Sequence, residues 1–413
     1  MTDATDTPMP LTVDAVRAAA SRIEGRIVHT PTLLSEALSR ATGARVYVKY
    51  ENMQHTGAFK ARGAIAKLTT LSPAQAASGV IAMSAGNHAQ GVAYHAAKMG
   101  IAATIVMPRG TPFVKIRKTS DYGATVVMEG DDFTGAAQAA ERIARDKGLT
   151  LIHPYNDDAV IAGQGTIGLE FMADAPGLDM LLIPVGGGGL IAGVALAAKS
   201  IDPRIEIVGV EAALYPAMIN ALGDSRRPCG GSTLAEGIAV QSVGDKTIAI
   251  VREQVRDIVT VSETSIERAI VMFATMDKTV AEGAGAAPLA ALLEHPEKFR
   301  GRKIGLLLSG GNIDSRLLSS VLMRDLVRTG RVLTLDIEMP DKPGQLHTVS
   351  GICAAEGANV LEVSHSRFAM DLSASAARLG LTIETRDEDH ARRVMSRIRD
   401  AGFTLTVRDP NGA

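Results

Sequence analysis

Between Val46 and about Gly330 the chain alternates short apolar runs with longer stretches in which apolar positions recur every three or four residues. The runs predict strands over residues 46–49, 80–83, 103–107, 125–128, 150–153, 180–185, 205–210, 258–261 and 304–308. Helical periodicity falls between most of them, as at 88–99, 133–146, 189–199 and 265–277. Strands that read as continuous Val/Ile/Leu runs joined by helical crossovers imply parallel sheets covered on both faces. So many strands over this length fit two sheets better than one. After Arg331 the texture changes. Residues 332–339 alternate as a strand, Asp341-Lys342-Pro343-Gly344 makes a turn, and 345–356 read as a helix. Strands at 359–364 and 376–384, a helix at 387–399 and a strand at 403–407 complete a β-α-β-β-α-β order. The expected organisation is a two-lobed α/β region over 1–330 and a second domain over 331–413. The opening ten residues, rich in Thr, Asp and Pro, are expected to be disordered.

Composition narrows the class. The 413 residues are 46% hydrophobic with a formal net charge of −2. That is enough apolar material for a large core, and no Lys/Arg cluster is dense enough to track a phosphate backbone, so nucleic-acid binding is not expected. No apolar run approaches the roughly 20 residues that span a bilayer. The polar, acidic start Met1-Thr2-Asp3-Ala4-Thr5-Asp6 does not read as a secretory leader. The two cysteines, Cys229 and Cys353, stand far apart in no metal-ligand spacing, which suits a reducing compartment. The expectation is a soluble cytoplasmic protein with no membrane partner.

Three polar loops fall where ligands bind in open α/β sheets, outside the carboxyl ends of strands. Gly186-Gly187-Gly188-Gly189 follows the run Met180-Leu181-Leu182-Ile183-Pro184-Val185 and leads into Leu190-Ile191-Ala192-Gly193: a strand, a turn without side chains, a helix. Amides in such a turn close on an oxyanion, and the helix N-terminus adds roughly half a positive charge. Gly187 to Ala192 also satisfies G-x-G-x-x-A, with Glu211 closing the next strand at about the spacing of a ribose-binding acid. A dinucleotide therefore competes with a smaller phosphate ligand and with a purely structural turn. Lys60, in Thr56-Gly57-Ala58-Phe59-Lys60-Ala61-Arg62-Gly63, stands between a turn and the start of an amphipathic helix, a poor place for a cation. Its flanks are small or apolar, and a desolvated lysine sheds its proton and attacks carbonyls. The competing reading is a solvated surface lysine. A lysine suited to aldehydes beside a phosphate cradle describes pyridoxal phosphate.

Ser84-Ala85-Gly86-Asn87-His88 bridges a strand and a helix. Ser84 would serve as an N-cap, and the exposed amides with the Asn87 side chain would equally hold a substrate carboxylate. His88 alone reads as a structural hydrogen-bonding residue rather than a catalyst. Ser309 ends an Ile/Leu strand before Gly310-Gly311-Asn312, as a site residue or as an ordinary strand-ending turn. No residues are spaced as a zinc site or in a recognisable Ser/His/Asp order.

The segments around Lys60, Asn87, the glycine turn and Ser309 occur in the order seen in fold type II pyridoxal-phosphate enzymes. From about Pro31 to Gly330 the chain resembles the threonine dehydratase (threonine ammonia-lyase) family. The resemblance implies a two-lobed, tryptophan-synthase-β-like catalytic region of parallel sheets. For 331–413 it implies an ACT domain, the ferredoxin-like amino-acid-sensing module often fused to these enzymes. By the same resemblance Lys60 bonds covalently to pyridoxal 5'-phosphate and, once released by substrate, is the base at Cα. Phe59 packs against the pyridine ring, Asn87 hydrogen-bonds the ring hydroxyl, and Gly186, Gly187, Gly188 and Gly189 bind the phosphate. Ser309 faces the ring nitrogen, while Ser84, Ala85, Gly86, Asn87 and His88 grip the substrate carboxylate. A hydroxyl partner leaves the ring nitrogen largely neutral, a weaker electron sink that favours loss of a β-hydroxyl over transamination. The implied reaction converts L-threonine to 2-oxobutanoate and ammonia, with serine as a side substrate, because one methyl group is worth only about 1–3 kcal/mol. Asp341, Pro343, Gly344, Gln345 and Leu346 are expected to bind an amino-acid effector between paired ACT domains of a homo-oligomer. A dimerisation prop is the competing reading of that unit.

Two departures bear on rival readings. Serine racemases on this scaffold typically carry a second serine where this chain has Ala85, and without it two-base racemisation loses its second proton donor. Metal-binding relatives place carboxylates after the strand ending at Glu211, where this chain has Ala212-Ala213-Leu214-Tyr215-Pro216, so no metal is expected. Outside the family, a nicotinamide oxidoreductase would use Gly187 to Ala192 and Glu211 but leave Lys60 and Ser309 idle. A catalytically silent amino-acid sensor would use only the C-terminal unit.

Overall fold

The computed structural model describes residues 11–223, 226–367, 372–373 and 375–408, so the expected disorder of the first ten residues lies outside the described chain. Two compact units divide at Ile313/Asp314. The first contains strands β1 (Thr32–Leu34), β2 (Arg45–Tyr50), β3 (Val80–Met83), β4 (Ala103–Met107), β5 (Thr125–Met128), β6 (Thr150–Leu151), β7 (Met180–Pro184), β8 (Glu206–Ala212), β9 (Asp257–Val261) and β10 (Lys303–Leu308). They form a six-stranded sheet in the order β1-β2-β10-β7-β8-β9 and a four-stranded sheet in the order β5-β4-β3-β6. Every neighbouring pair is parallel except the antiparallel β1–β2 edge. The two-sheet expectation holds. Each predicted strand is present; β1, three residues without periodicity, was not predicted. All five residues of β7 are buried, which is why it reads as an unbroken apolar run.

The site is assembled around one central helix. Asp158–Asp174 is apolar nearly all round, burying Val160, Ile161, Ile167, Phe171 and Met172, and it packs against helices Lys60–Leu68 and Gly189–Ile201. Its glycines mark close backbone approach. A Cβ on Gly163 would stand 2.7 Å from the Arg62 carbonyl oxygen, and one on Gly165 2.8 Å from that of Gly193. Overfilling such contacts typically costs about 1–3 kcal/mol. The helix that begins at Lys60 is thereby held in fixed relation to the helix that follows the glycine turn. Lys60–Leu68 is not the amphipathic helix expected: Ala61, Arg62, Gly63, Ala64, Ile65, Ala66 and Leu68 are all buried. Arg62 and the glycine disguised an interior helix as a half-exposed one.

The second unit contains β11 (Val332–Pro340), β12 (Asn359–Ser366), β13 (Ala376–Glu384) and β14 (Thr404–Val407), with helices Gln345–Glu356 and Glu388–Asp400. Its antiparallel sheet runs β12-β13-β11-β14, the ferredoxin-like order expected. Leu335, Ile337, Leu379, Leu381, Val349 and Cys353 meet in the core between sheet and helices. Helix Ser315–Arg328 also belongs to this unit, so the division precedes that helix instead of following it at 330/331. The end of the helix is tied to the second unit: the Thr385 hydroxyl donates to the Gly330 carbonyl oxygen at 2.5 Å, and the Thr385 amide to that of Arg331 at 2.8 Å.

Candidate active site

Lys60 follows a turn driven into the left-handed region, with φ 61° at Thr56 and 73° at Gly57. For a β-branched residue this is a strained backbone that only a surrounding lattice of bonds retains. Here Asn312 Nδ2 donates to the Thr56 carbonyl oxygen at 2.7 Å, and the Gly311 amide to that of Gly57 at 3.0 Å. The Phe59 amide donates to the Ser309 carbonyl oxygen at 3.0 Å. The Lys60 turn and the Ser309 turn are therefore one rigid piece. Lys60 Nζ donates to the Pro154 carbonyl oxygen at 2.7 Å and lies 5.2 Å from the centre of the Phe59 ring. Among the described residues no carboxylate pairs with it, and burial pushes its pKa down from 10.5 to about 8. About a tenth of such an amine is neutral at pH 7. It is not a solvated surface lysine.

Pro154 links Lys60 to the glycine turn through the next residue. A Cβ on Gly187 would stand 2.3 Å from the Tyr155 ring, and one on Gly189 2.9 Å from the Tyr155 carbonyl oxygen. Gly188 has φ +92°, which disfavours any side chain there. The Thr247 hydroxyl donates to the Gly187 carbonyl oxygen at 2.8 Å and fixes the orientation of that peptide. Gly187, Gly188 and Gly189 are buried. No described residue accepts a hydrogen bond from the amides of Gly186, Gly187, Gly188 or Gly189. Backbone amides removed from water require acceptors, so this row at the start of helix Gly189–Ile201 is a seat for an oxyanion. Ser309 is buried, and its hydroxyl bonds to no described residue. An amine set for an aldehyde, a phosphate seat and a hydroxyl for a ring nitrogen fit pyridoxal phosphate.

The dinucleotide reading loses its acid. The Glu211 carboxylate accepts from the Met218 amide at 2.7 Å and the Ile219 amide at 3.1 Å, so it anchors helix Ala217–Leu222. Burial pushes its pKa up to about 7.

Ser84 is not an N-cap, the structural alternative to a role in holding substrate. Gly86 takes that position before helix Asn87–Lys98, and Ser84 Oγ accepts from the Gly86 amide at 3.1 Å. The amides of Ala85, Asn87 and His88 have no described acceptor, a second concavity suited to a carboxylate. His88 is buried and donates from Nε2 to the Ile152 carbonyl oxygen at 2.8 Å, leaving Nδ1 without a partner. Burial and the nearby Lys60 push its pKa down to about 3, so the ring is neutral. Asn87 donates from Nδ2 to Glu282 Oε1 at 2.7 Å and accepts at Oδ1 from Asn312 Nδ2 at 2.9 Å.

Several residues here were not anticipated. Glu282, which accepts from Asn87, was one; burial pushes its pKa up to about 7. Its signal was a lone acid within the small-residue run Ala281-Glu282-Gly283-Ala284-Gly285-Ala286. Pro154, Tyr155 and Asn312 carried no comparable signal. Arg62, two residues beyond Lys60, is fully buried between two carboxylates, with bonds of 2.8 and 2.8 Å to Glu51 and of 2.6 and 2.8 Å to Glu170. Lys49 joins the group through Glu170 at 2.7 Å and Asp174 at 3.3 Å. In the second unit Asp341, Pro343, Gly344, Gln345 and Leu346 line a hollow of about 210 Å³ with His365 and Arg367. Arg367 Nε donates to Asp341 Oδ1 at 3.0 Å. Among the described residues no group of three or more His, Cys, Asp or Glu side chains is placed to hold a metal, and no helix is long and apolar enough to cross a membrane.

Residues 23–310 match the family model described as pyridoxal-phosphate dependent enzyme. The chain is 42% identical over 399 residues to an L-threonine ammonia-lyase of Thermotoga maritima, a match covering 96% of this chain and 99% of that protein. The solved structure of the processed form of threonine deaminase isoform 2 from Solanum lycopersicum superposes with a TM-score of 0.70 at 36% identity, over 75% of this chain and 86% of that one. Maize serine racemase superposes with a TM-score of 0.72 at 33% identity, over 77% of this chain and 99% of the other.

Proposed function

This chain belongs to the pyridoxal-phosphate-dependent enzyme family, and we propose that it is an L-threonine ammonia-lyase, converting L-threonine to 2-oxobutanoate and ammonia. Bound pyridoxal phosphate supplies an aldehyde for the substrate amine and a conjugated ring that weakens the Cα–H bond. Lys60 would hold the cofactor and, once displaced, would accept the Cα proton at Nζ; in the free site burial already brings its pKa down to about 8, so part of the amine is neutral near pH 7. The amides of Gly186, Gly187, Gly188 and Gly189 would hold the phosphate, and Phe59 would flank the ring. The amides of Ala85, Asn87 and His88, with Ser84 and Gly86 shaping their loop, receive the substrate carboxylate and set which Cα bond faces Lys60. The Ser309 hydroxyl would be a neutral partner for the ring nitrogen, which would favour loss of the β-hydroxyl over transamination.

The observation that carries the reading is the chain of contacts from Lys60 through Pro154 and Tyr155 to four amides with no acceptor among the described residues. The test is borohydride reduction and peptide mass mapping, together with 2-oxo acid release from L-threonine, L-serine and 3-hydroxyaspartate. An adduct on Lys60 and the highest kcat/KM with L-threonine are expected; an adduct elsewhere, or no 2-oxobutanoate, overturns the reading. The maize likeness supports serine racemase as a second reading, but Ala85 offers no hydroxyl to the opposite substrate face.

The second unit is best read as an ACT domain that regulates a homo-oligomeric, cytoplasmic enzyme. The hollow at Asp341, Gly344 and Arg367 supports an amino-acid effector, because it sets a carboxylate and a guanidinium beside the start of helix Gln345–Glu356.

A further inference from the structure

We propose that Glu282 is a positioning residue for the cofactor: with the Thr56 carbonyl it fixes the direction of the Asn87 amide, so that an N–H and not the carbonyl oxygen faces the ring oxygen of pyridoxal phosphate. The proposal rests on the cofactor reading above. A carboxamide is a donor at one end and an acceptor at the other, with nearly equal shapes, so packing alone does not choose its direction. Here the choice is made by two acceptors, the Thr56 carbonyl, which never donates, and the Glu282 carboxylate, which only accepts once ionised, above its pKa of about 7. The Thr56 carbonyl oxygen only accepts, so Asn312 turns Nδ2 toward it, at 2.7 Å. The same Nδ2 donates to Asn87 Oδ1 at 2.9 Å, which commits the Asn87 oxygen. Asn87 Nδ2 therefore lies on the far side, where Glu282 Oε1 accepts at 2.7 Å.

Glu282 is itself pinned. It precedes helix Gly283–Glu294, and its amide donates to the Gly310 carbonyl oxygen at 3.1 Å. Gly310 presses on it so closely that a Cβ there would stand 2.5 Å from Oε1. Reversing Asn87 would set oxygen against oxygen at Glu282 and N–H against N–H at Asn312. One Nδ2 hydrogen of Asn87 remains for the ligand, and an N–H donor favours the deprotonated ring oxygen.

The test uses the full chain, freed of cofactor and titrated with pyridoxal phosphate. Glu282→Gln keeps the shape but lets either end of its amide meet Asn87. Asn312→Ala removes the other anchor. Three readouts are taken: the dissociation constant of pyridoxal phosphate, the visible absorption of the bound cofactor, which reports whether its ring oxygen is protonated, and the melting temperature of the apo protein. Both variants are expected to bind about tenfold more weakly or worse, the size of a charge-assisted hydrogen bond, and to shift absorption toward the protonated ring oxygen. Folded variants with the parent's affinity and spectrum overturn the proposal; if Glu282→Gln does not fold, Asn312→Ala alone decides. A parent that takes up no pyridoxal phosphate sinks the cofactor reading as well, which separates the two failures.

Discussion

Replacing Arg62 by methionine isolates what the buried ion group contributes to the helix that carries Lys60. Arg62 and Glu51 are fully buried, and four hydrogen bonds of 2.6–2.8 Å join the guanidinium to Glu51 and Glu170. Methionine fills much of the space but leaves the Glu51 carboxylate, among the described residues, with the Thr30 hydroxyl alone, at 2.5 Å. Lys49 reaches Glu170 and Asp174, not Glu51. Stranding a buried carboxylate in this way costs about 3–5 kcal/mol. At roughly 2 °C per kcal/mol for a unit of this size, the melting temperature should fall by about 6–10 °C at pH 8. The pH dependence has a definite sign. In the parent, burial alone would raise Glu170, but Arg62 and Lys49 hold it below the usual carboxylate value. Its contribution is complete above the unfolded carboxylate range and is lost as pH falls through the lowered value. In the variant the Glu51 carboxyl is buried most favourably as the neutral acid, so the variant regains stability as pH falls. The gap between parent and variant must therefore narrow from pH 8 to pH 5. Calorimetry of the apo proteins at both pH values, with Glu51→Gln added to the variant to restore most of the loss, is the assay. A gap below about 2 °C at pH 8 would refute the idea that this guanidinium neutralises its two carboxylates, and so would a gap that widens toward pH 5.

Uptake of pyridoxal phosphate by the apo protein should rise about tenfold per pH unit up to about 8 and then level off, because only the neutral Lys60 amine reacts. Stopped-flow absorbance gives the profile, and a rate independent of pH between 6 and 8 contradicts it. Gly188→Ala meets φ +92° and would set a Cβ 2.6 Å from Met218 Cε and 2.7 Å from Thr247 Oγ1, so pyridoxal phosphate binding should weaken tenfold or more in equilibrium dialysis. Gly344→Val strains a turn of φ +91° that has open space around it, so any response of the reaction rate to added amino acids should disappear. A response unchanged in size and half-saturation argues against regulation through that hollow.

Most of the architecture was legible because burial writes itself into the pattern. β7 and β10 are covered on both faces and read as unbroken apolar runs, while β11 and β13 alternate with one face in the core. What the pattern hid were elements whose burial is not apolar. Arg62 made an interior helix look amphipathic, and only the carboxylates of Glu51 and Glu170, distant in sequence, explain how a guanidinium can stand there. The glycine turn and Lys60 stood out through local chemistry, but Pro154 and Tyr155, which join them, act through a carbonyl and a ring face that any residue order could supply. Ser84 misled for a related reason: its hydroxyl reaches the Gly86 amide inside its own loop, and a preference for helix starts does not distinguish that bond from a cap.

Burial of an acid does not by itself single out a functional residue in this molecule. Glu211 is fully buried and Glu282 partly so, and desolvation pushes both to about pH 7. They differ in what the carboxylate holds. Glu211 is bonded to the Met218 and Ile219 amides, which have no direction left to choose once helix Ala217–Leu222 has formed. Glu282 is bonded to a side-chain amide that could present either end to its surroundings, and so it imposes a polarity that is passed on. Glutamine at the two positions should then have opposite signatures. Glu211→Gln sets an NH₂ group against a backbone N–H and should lower stability by about 1–3 kcal/mol while the absorption of the bound cofactor stays where it was. Glu282→Gln should move that absorption with a smaller change in melting. If the two variants proved alike in both measurements, the perturbed acidity the two glutamates share would be the better guide, and the directional argument for Glu282 would have to be abandoned.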